Sequence, residues 1–179
     1  MEQLVVEIGM KLDNNLIYYH KRLIENGFQL VYSCVTRDIY YTKRDLKGLT
    51  EKEMKDACER IRYCFVLNKE IKNNVELEKQ ADNLIKDGYS LQFDTTKFDY
   101  HYSNGKIKGR IQIQDIENIG LLVYYDNPEY YGYSLQEQRK LLINELNSYG
   151  FKFSEKNLGL DKLRTLYYNK YMYSENQNA

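Results

Sequence analysis

Alternating apolar and polar residues predict most of the strands in this chain. In residues 4–12 every second side chain from Val6 onward is apolar, while Glu7, Gly9 and Lys11 share the other face. The same two-residue period, or a short apolar and aromatic run, predicts further strands from residue 28, around 39–41, and over 60–67, 89–94, 97–102, 106–114 and 121–126.

Helices are predicted between these strands by apolar residues at helical spacing and by capping residues. Thr50 with Glu53, and Ser134 with Glu137, have the spacing of capping boxes. The predicted helices follow residue 15 up to Gly27 and cover residues 51–58, 75–86, 135–149 and 161–171. A helix end followed by a glycine and the start of a strand occurs three times, at residues 23–30, 84–91 and, more loosely, 146–151.

The composition indicates one folded domain. The 179 residues are 42% hydrophobic and 29% charged, and no linker divides them, so we expect a single domain over 1–173 and a disordered polar tail over 174–179. Lys plus Arg and Asp plus Glu both total 26, and this balance argues against a general nucleic-acid or acidic-membrane binder. The start of the chain does not resemble a signal peptide and no apolar run is long enough to cross a bilayer, so the expected location is cytoplasmic.

The cysteines and histidines suggest no metal chemistry. Neither His20 nor His101 has a Cys or a second His at ligand spacing, so a zinc site is not expected. Cys58 and Cys64 lie in a helical and an apolar segment, and we predict that both are buried. The tyrosine-rich stretch 124–133 is open to three interpretations: a surface that stacks on a base or sugar, a segment that is half core and half surface, or a self-association patch.

Charged side chains share one face of several predicted strands. Glu7 with Lys11, Arg60 with Arg62, and Arg110 with Gln112 each lie opposite an apolar face. Two interpretations remain open. The charged face is either the solvated side of an ordinary antiparallel sheet, or the interior of a barrel whose Arg and Lys residues bind an anion.

The order of several short motifs resembles the CYTH superfamily of triphosphate tunnel proteins. These motifs are Glu7-x-Gly9-x-Lys11, residues 38–41, Arg60-Ile61-Arg62 and residues 113–120, and the resemblance spans residues 1–170. That superfamily includes class IV adenylate cyclases, thiamine triphosphatases and inorganic triphosphatases. The resemblance implies an α+β fold with an antiparallel eight-stranded barrel, the triphosphate tunnel, and helices packed outside it.

The resemblance also implies a set of site residues. Lys11, Arg60 and Arg62 would bind phosphate, with Lys69 and Lys97 close to further basic positions of the family; Arg110, on the charged face of its strand, is added to this set. Glu7 and Asp126 would bind Mg²⁺ or Mn²⁺, which are hard cations that prefer carboxylate oxygens.

The chain departs from the family pattern at its acidic positions. Gly9 replaces the second glutamate of the opening motif, Gln114 replaces an aspartate, and Tyr124 replaces a glutamate of the closing strand. Losing these carboxylates while Lys11, Arg60 and Arg62 remain should leave a pocket that attracts anions and binds metal weakly.

Three hypotheses about function follow. The chain binds a triphosphate-bearing small molecule or inorganic polyphosphate and hydrolyses or cyclises it with a metal ion; alternatively, it is a non-catalytic binding module that has lost its metal site. The third hypothesis is a structural or partner-binding protein. A homodimer is an open possibility under each of them, whereas nucleic-acid and membrane partners are not expected.

Overall fold

The computed structural model describes residues 8–66, 74–106, 109–153 and 162–175, and it has an α+β fold. A short 3₁₀ helix at Pro128–Tyr130 accompanies the longer elements. In chain order these are β1 (Ile8–Lys11), α1 (Leu16–Glu25), β2 (Gln29–Thr42), α2 (Glu51–Ala57), β3 (Cys58–Val66), α3 (Asn74–Lys86), β4 (Ser90–Ser103), β5 (Arg110–Ile116), β6 (Gly120–Asp126), α4 (Leu135–Ser148) and α5 (Lys162–Glu175).

The six described strands form one antiparallel sheet in the order β1-β6-β5-β4-β2-β3. This confirms the predicted α+β class and the antiparallel strand pairing. The sheet of described strands is not closed, since β1 and β3 lie at its two ends. The eight-stranded barrel is therefore not shown by this part of the chain and stays a prediction.

Two strands are longer than their sequence patterns suggest. Residues 29–42 form the single strand β2, and residues 90–103 form the single strand β4, where the sequence indicated two separate segments each. Neither stretch contains a Gly or Pro that would interrupt a strand; residues 29–42 are rich in Tyr and β-branched residues, and residues 90–103 are rich in Tyr and Phe. Strand β5, in contrast, begins only at Arg110, later than predicted.

The chain divides into two compact units. The first comprises residues 1–33, 98–115 and 120–160, and the second comprises residues 34–97, 116–119 and 161–179. The core of the first unit is built from Phe151 and from strand and helix residues that include Met10, Tyr19, Leu23, Ile111, Val123, Tyr125, Leu142 and Leu146.

The second unit uses both faces of the β2–β3 pair. On one face Ile39, Tyr41 and Ile61 pack against the apolar side of α3. Because strand side chains alternate, Asp38 and Tyr40 belong to the opposite face. Helices α2 and α5 contact each other in this unit, and each has buried residues, among them Met54 on α2 and Leu163 on α5.

The three helix-to-glycine joints share one hydrogen-bond geometry. Gly27, Gly88 and Gly150 have φ angles of 80°, 87° and 84°. The residue after each glycine donates its backbone N–H to a carbonyl five residues earlier, at 2.9, 3.0 and 3.1 Å for Phe28, Tyr89 and Phe151. This is the Schellman helix ending, which requires a left-handed residue. Residues 151–153, which follow the third joint, are not in a strand, and residues 154–161 lie outside the described part of the chain.

Exposure and helix length differ from prediction at three further places. Cys64 is exposed, because it lies on the same face of β3 as the exposed Arg60 and Arg62. Cys58 is half-buried, so neither of these two cysteines is buried as predicted. Helix α5 runs through residue 175, so the first two residues of the predicted tail are helical, while residues 176–179 lie outside the described part.

Candidate functional site

A buried carboxylate, Asp38, collects three cationic side chains in the second unit. Pairing of β2 with β3 places Asp38 opposite Arg62. Arg62 donates two hydrogen bonds to Asp38, from Nε to Oδ1 at 2.6 Å and from Nη2 to Oδ2 at 2.9 Å. The Asp38 side chain is fully buried, whereas that of Arg62 is 40% exposed. The pair therefore connects a buried anion to a guanidinium that reaches solvent.

Two lysines complete this cluster, which we call the Asp38 cluster: Asp38, Arg62, Lys97 and Lys162. The Nζ of Lys97 on β4 lies 3.5 Å from Asp38 Oδ2, and the Nζ of Lys162 on α5 lies 3.3 Å from the same oxygen. Both side chains are largely buried, at 3% and 12% exposed. One carboxylate is thus shared by three cations.

Helix α5 is held so that its first residue can reach the Asp38 cluster. Glu51 of α2 accepts hydrogen bonds from the backbone N–H groups of Leu163 at 3.2 Å and Arg164 at 3.0 Å. A carboxylate at this end of a helix binds unpaired N–H groups and complements the helix dipole. Lys162, just before them, then lies within hydrogen-bond distance of the Tyr40 hydroxyl, at 3.4 Å.

The pKa shifts in the cluster show how its charges act on one another. Burial opposes ionisation of Asp38, but the hydrogen bond from Arg62 and the charges of Lys97 and Lys162 outweigh it and hold the Asp38 pKa well below its usual range. Burial lowers the pKa of Lys162, and the charges of Arg62 and Arg60 lower it further despite the attraction of Asp38. The cations therefore repel one another even with Asp38 ionised.

Arg60 lies beside this cluster. Strand pairing places it opposite Tyr40. Burial and the charge of Asp38 raise the pKa of Tyr40 to about 12, against the opposing effect of Arg60. Tyr40 is therefore a neutral hydroxyl at physiological pH, and it lies within hydrogen-bond distance of Lys162.

The predicted phosphate residues divide between the two units. Arg62 and Lys97 meet at Asp38, and Arg60 lies next to them, so three predicted residues come together in the second unit. Lys11 and Arg110 belong to the first unit, where both are exposed. Lys69 lies outside the described residues.

The structure describes one of the two predicted metal residues. Asp126 accepts a hydrogen bond from the Tyr131 hydroxyl at 2.9 Å, and Glu7 lies outside the described residues. Within the described ranges, no group of three or more His, Cys, Asp or Glu side chains could hold a metal ion.

The positions that lack carboxylates are filled by other groups. Gly9 and Tyr124 are paired residues of neighbouring strands β1 and β6. A Cβ atom on residue 9 would lie 2.8 Å from Cε1 of Tyr124, so the tyrosine ring occupies the space that a side chain at residue 9 would need. Gln114 is buried and supplies an amide in place of a carboxylate. These residues do not fit a resident divalent cation.

Sequence reasoning missed Asp38 and Lys162 as site residues. Asp38 belongs to one of the family-like motifs without a role of its own there, although a charged residue in the middle of an apolar strand signals a buried ion pair. Lys162 gave no comparable signal, because a lysine in the first turn of a polar helix is usually solvated.

The fold is similar to several solved structures at low sequence identity. The PH1819 protein of Pyrococcus horikoshii matches with a TM-score of 0.58 and 19% identity, covering 88% of this chain and 94% of that chain. The PH1012 protein of the same organism has a TM-score of 0.53 and 11% identity, covering 87% and 94%. A candidate adenylate cyclase of Vibrio parahaemolyticus has a TM-score of 0.55 and 11% identity, covering 89% and 95%.

At 11% to 19% identity, these likenesses show a similarity of fold. No protein-family model and no curated protein sequence matches the chain. None of the described helices is long and apolar enough to span a membrane.

Proposed function

We propose that this chain binds a triphosphate-bearing small molecule or inorganic polyphosphate through the cations around Asp38. The observation that carries the proposal is the sharing of one buried carboxylate by Arg62, Lys97 and Lys162, within 3.5 Å in every case. Charged hydrogen bonds of Arg and Lys to phosphoryl oxygens are strong where water is limited.

The electrostatics favour an additional anion at this place. Lys162 has a lowered pKa although it contacts Asp38, because burial and the positive charges of Arg62 and Arg60 act on it together. A phosphoryl group beside these residues would reduce that repulsion and share the cations with Asp38. Arg62, which is 40% exposed, and the exposed Arg60 are the cations that an incoming ligand would meet first.

Binding without a resident metal is the form of the proposal that the residues support best. Tyr124 covers Gly9, and Gln114 offers an amide, so the three positions where the resemblance implies further carboxylates lack them. Hydrolysis or cyclisation with Mg²⁺ or Mn²⁺, using Glu7 and Asp126, remains the second candidate. It is supported only by the resemblance, and the experiment below tests it in the same samples.

The eight-stranded tunnel is also part of the proposal. In support, six antiparallel strands lie in the described residues, and the fold is similar to that of a candidate adenylate cyclase. Lys11, Lys69 and Arg110 are proposed as additional phosphate ligands on the strength of the resemblance and the strand pattern. An experimental structure with tripolyphosphate bound would test both points.

The test is a calorimetric titration of the purified protein with tripolyphosphate, with and without Mg²⁺, combined with an assay of released phosphate. We expect binding that needs no metal and weakens as salt is raised, because the contacts are mainly electrostatic. Metal-dependent phosphate release would support the catalytic candidate. Absence of binding under all conditions would refute the proposal.

Arg62→Gln and Arg37→Gln make a matched pair of variants. Each removes one arginine of β2 or β3 that binds an aspartate through two hydrogen bonds. Arg37 pairs with Asp94 and lies on the opposite face of β2 from Asp38. Arg62→Gln should weaken tripolyphosphate binding roughly tenfold to a hundredfold, the effect of one charged hydrogen bond, and Arg37→Gln about threefold at most. Equal losses would mean that net charge alone attracts the ligand.

A further inference from the structure

A buried threonine hydroxyl in the second unit has no hydrogen-bond partner. Thr95 of β4 is 1% exposed, and within the described residues its Oγ1 is the one buried side-chain nitrogen or oxygen atom that lacks a partner. A buried polar group loses its hydrogen bonds to water, and without a partner in the protein no new hydrogen bond offsets that desolvation free energy. An unpaired hydroxyl of this kind needs an explanation, and a bound ligand is one.

The hydroxyl lies close to the Asp38 cluster. Buried and exposed residues alternate along β4, and the buried side chains of Phe93, Thr95 and Lys97 share one face. Residues two apart on a strand are about 7 Å apart, and the Nζ of Lys97 lies 3.5 Å from Asp38. Tyr40, on the Asp38 face of β2, packs edge-on against Phe93 at 6.2 Å between ring centroids. On this face of β4, Thr95 therefore lies between Phe93, which packs against Tyr40, and the buried ammonium group of Lys97.

We infer that Thr95 is a specificity-determining residue of the proposed site, whose hydroxyl donates a hydrogen bond to a phosphoryl oxygen of the ligand that Lys97 holds. A phosphoryl group has several acceptor oxygens in a tetrahedral arrangement, so one can bind the flexible Lys97 ammonium while another accepts from Thr95. Lysine supplies charge to any anion, whereas the fixed hydroxyl requires an acceptor at a defined place. The inference rests on the proposed function and adds a neutral donor to it.

The test compares Thr95→Val and Thr95→Ser. Valine keeps the shape of threonine and removes the hydroxyl, while serine keeps the hydroxyl and loses a methyl group. Tripolyphosphate affinity should fall roughly tenfold to a hundredfold in Thr95→Val and stay within about threefold in Thr95→Ser. Without ligand, the urea midpoint of Thr95→Val should equal or exceed that of the wild type, because no hydrogen bond is lost.

Thr42→Val is the matched control. Thr42 is also a buried threonine of the second unit, but its hydroxyl donates to the Ala57 carbonyl at 2.9 Å and accepts from the Arg44 N–H at 3.0 Å. Removing this paired hydroxyl should lower the urea midpoint and leave tripolyphosphate affinity unchanged. The two valine variants should thus behave oppositely in the two measurements.

The outcomes separate the inference from the proposed function. Wild-type binding with undiminished affinity in Thr95→Val would overturn the role of Thr95 and leave the binding function standing. A urea midpoint that falls in Thr95→Val as it does in Thr42→Val would also overturn it, since the hydroxyl would then have a structural partner. If wild-type protein does not bind tripolyphosphate, both the function and the inference are refuted.

Discussion

Replacing Asp38 with Asn should destabilise the protein and strengthen its attraction for anions. The substitution keeps the size of the side chain and removes the negative charge shared by Arg62, Lys97 and Lys162. The free protein would then hold two largely buried ammonium groups without the carboxylate that compensates them. Breaking a buried ion pair by removing one partner typically costs about 3–5 kcal/mol.

The structure indicates where in that range the loss should lie. Lys97 and Lys162 are 3% and 12% exposed, so they carry most of the cost, while Arg62 at 40% exposed can regain water. Asn also retains one acceptor oxygen. We therefore expect Asp38→Asn to lower the free energy of unfolding by about 3 kcal/mol, the lower end of the range for a broken buried pair.

Urea unfolding followed by circular dichroism, with and without tripolyphosphate, measures both effects. Tripolyphosphate should raise the midpoint of Asp38→Asn more than that of the wild type, because a ligand that binds only the folded state stabilises it in proportion to its affinity. Asp94→Asn is the control: it breaks the more exposed pair with Arg37, whose side chains are 50% and 34% exposed, and should cost about 1 kcal/mol or less.

The reasoning is refuted if Asp38→Asn and Asp94→Asn lose similar stability, since the Asp38 cluster would then behave as a solvated surface network. It is also refuted if tripolyphosphate stabilises Asp38→Asn no more than the wild type. Either result would mean that Asp38 does not compete with the ligand for the same cations.

Three further predictions concern pH, strand packing and a turn. Folding lowers the Asp38 pKa, so the stabilisation by its ionised carboxylate is complete above about pH 4, the pKa in the unfolded chain, and declines as pH falls towards the pKa in the folded protein. The difference in unfolding free energy between wild type and Asp38→Asn, measured by urea unfolding from pH 7 to pH 2, should therefore shrink as the pH is lowered. Gly9→Ala and Tyr124→Ala should be non-additive in a double-mutant cycle of unfolding free energies by about 0.5 kcal/mol or more, and additivity would show that the two side chains do not meet. Asn118 has a φ of 63°, so Asn118→Gly should be neutral or stabilising and Asn118→Val should cost about 1–2 kcal/mol; equal thermal midpoints would contradict this.

Local sequence patterns predicted the elements of the fold well. Both capping boxes form, with Thr50 accepting from Glu53 N and Ser134 from Glu137 N, because such caps depend only on residues three apart. The lengths of β2 and β4 were missed, since alternation inside a strand does not say whether two strand segments are continuous. Continuity depends on neighbouring strands that pair along the whole length.

The candidate site was predicted in part. Arg60 and Arg62 were identified because charged residues at two-residue spacing mark one face of a strand and fit a family motif, whereas Lys97 was identified only through the family resemblance. Asp38 and Lys162 were missed because their roles arise from contacts across 24 and 124 residues of sequence, which no local period reveals. Thr95 could not be recognised either: an unpaired hydroxyl is a property of its surroundings in three dimensions.

The packing of Tyr124 over Gly9 constrains how an acidic pair could be introduced at these two positions. An acidic side chain at residue 9 would collide with the ring, whereas replacing Tyr124 alone would leave a gap beside a glycine. Each single change thus gives a less well packed protein, and only the double change reaches a strand pair with two carboxylates. An engineered metal site at this strand pair should accordingly change both residues at once.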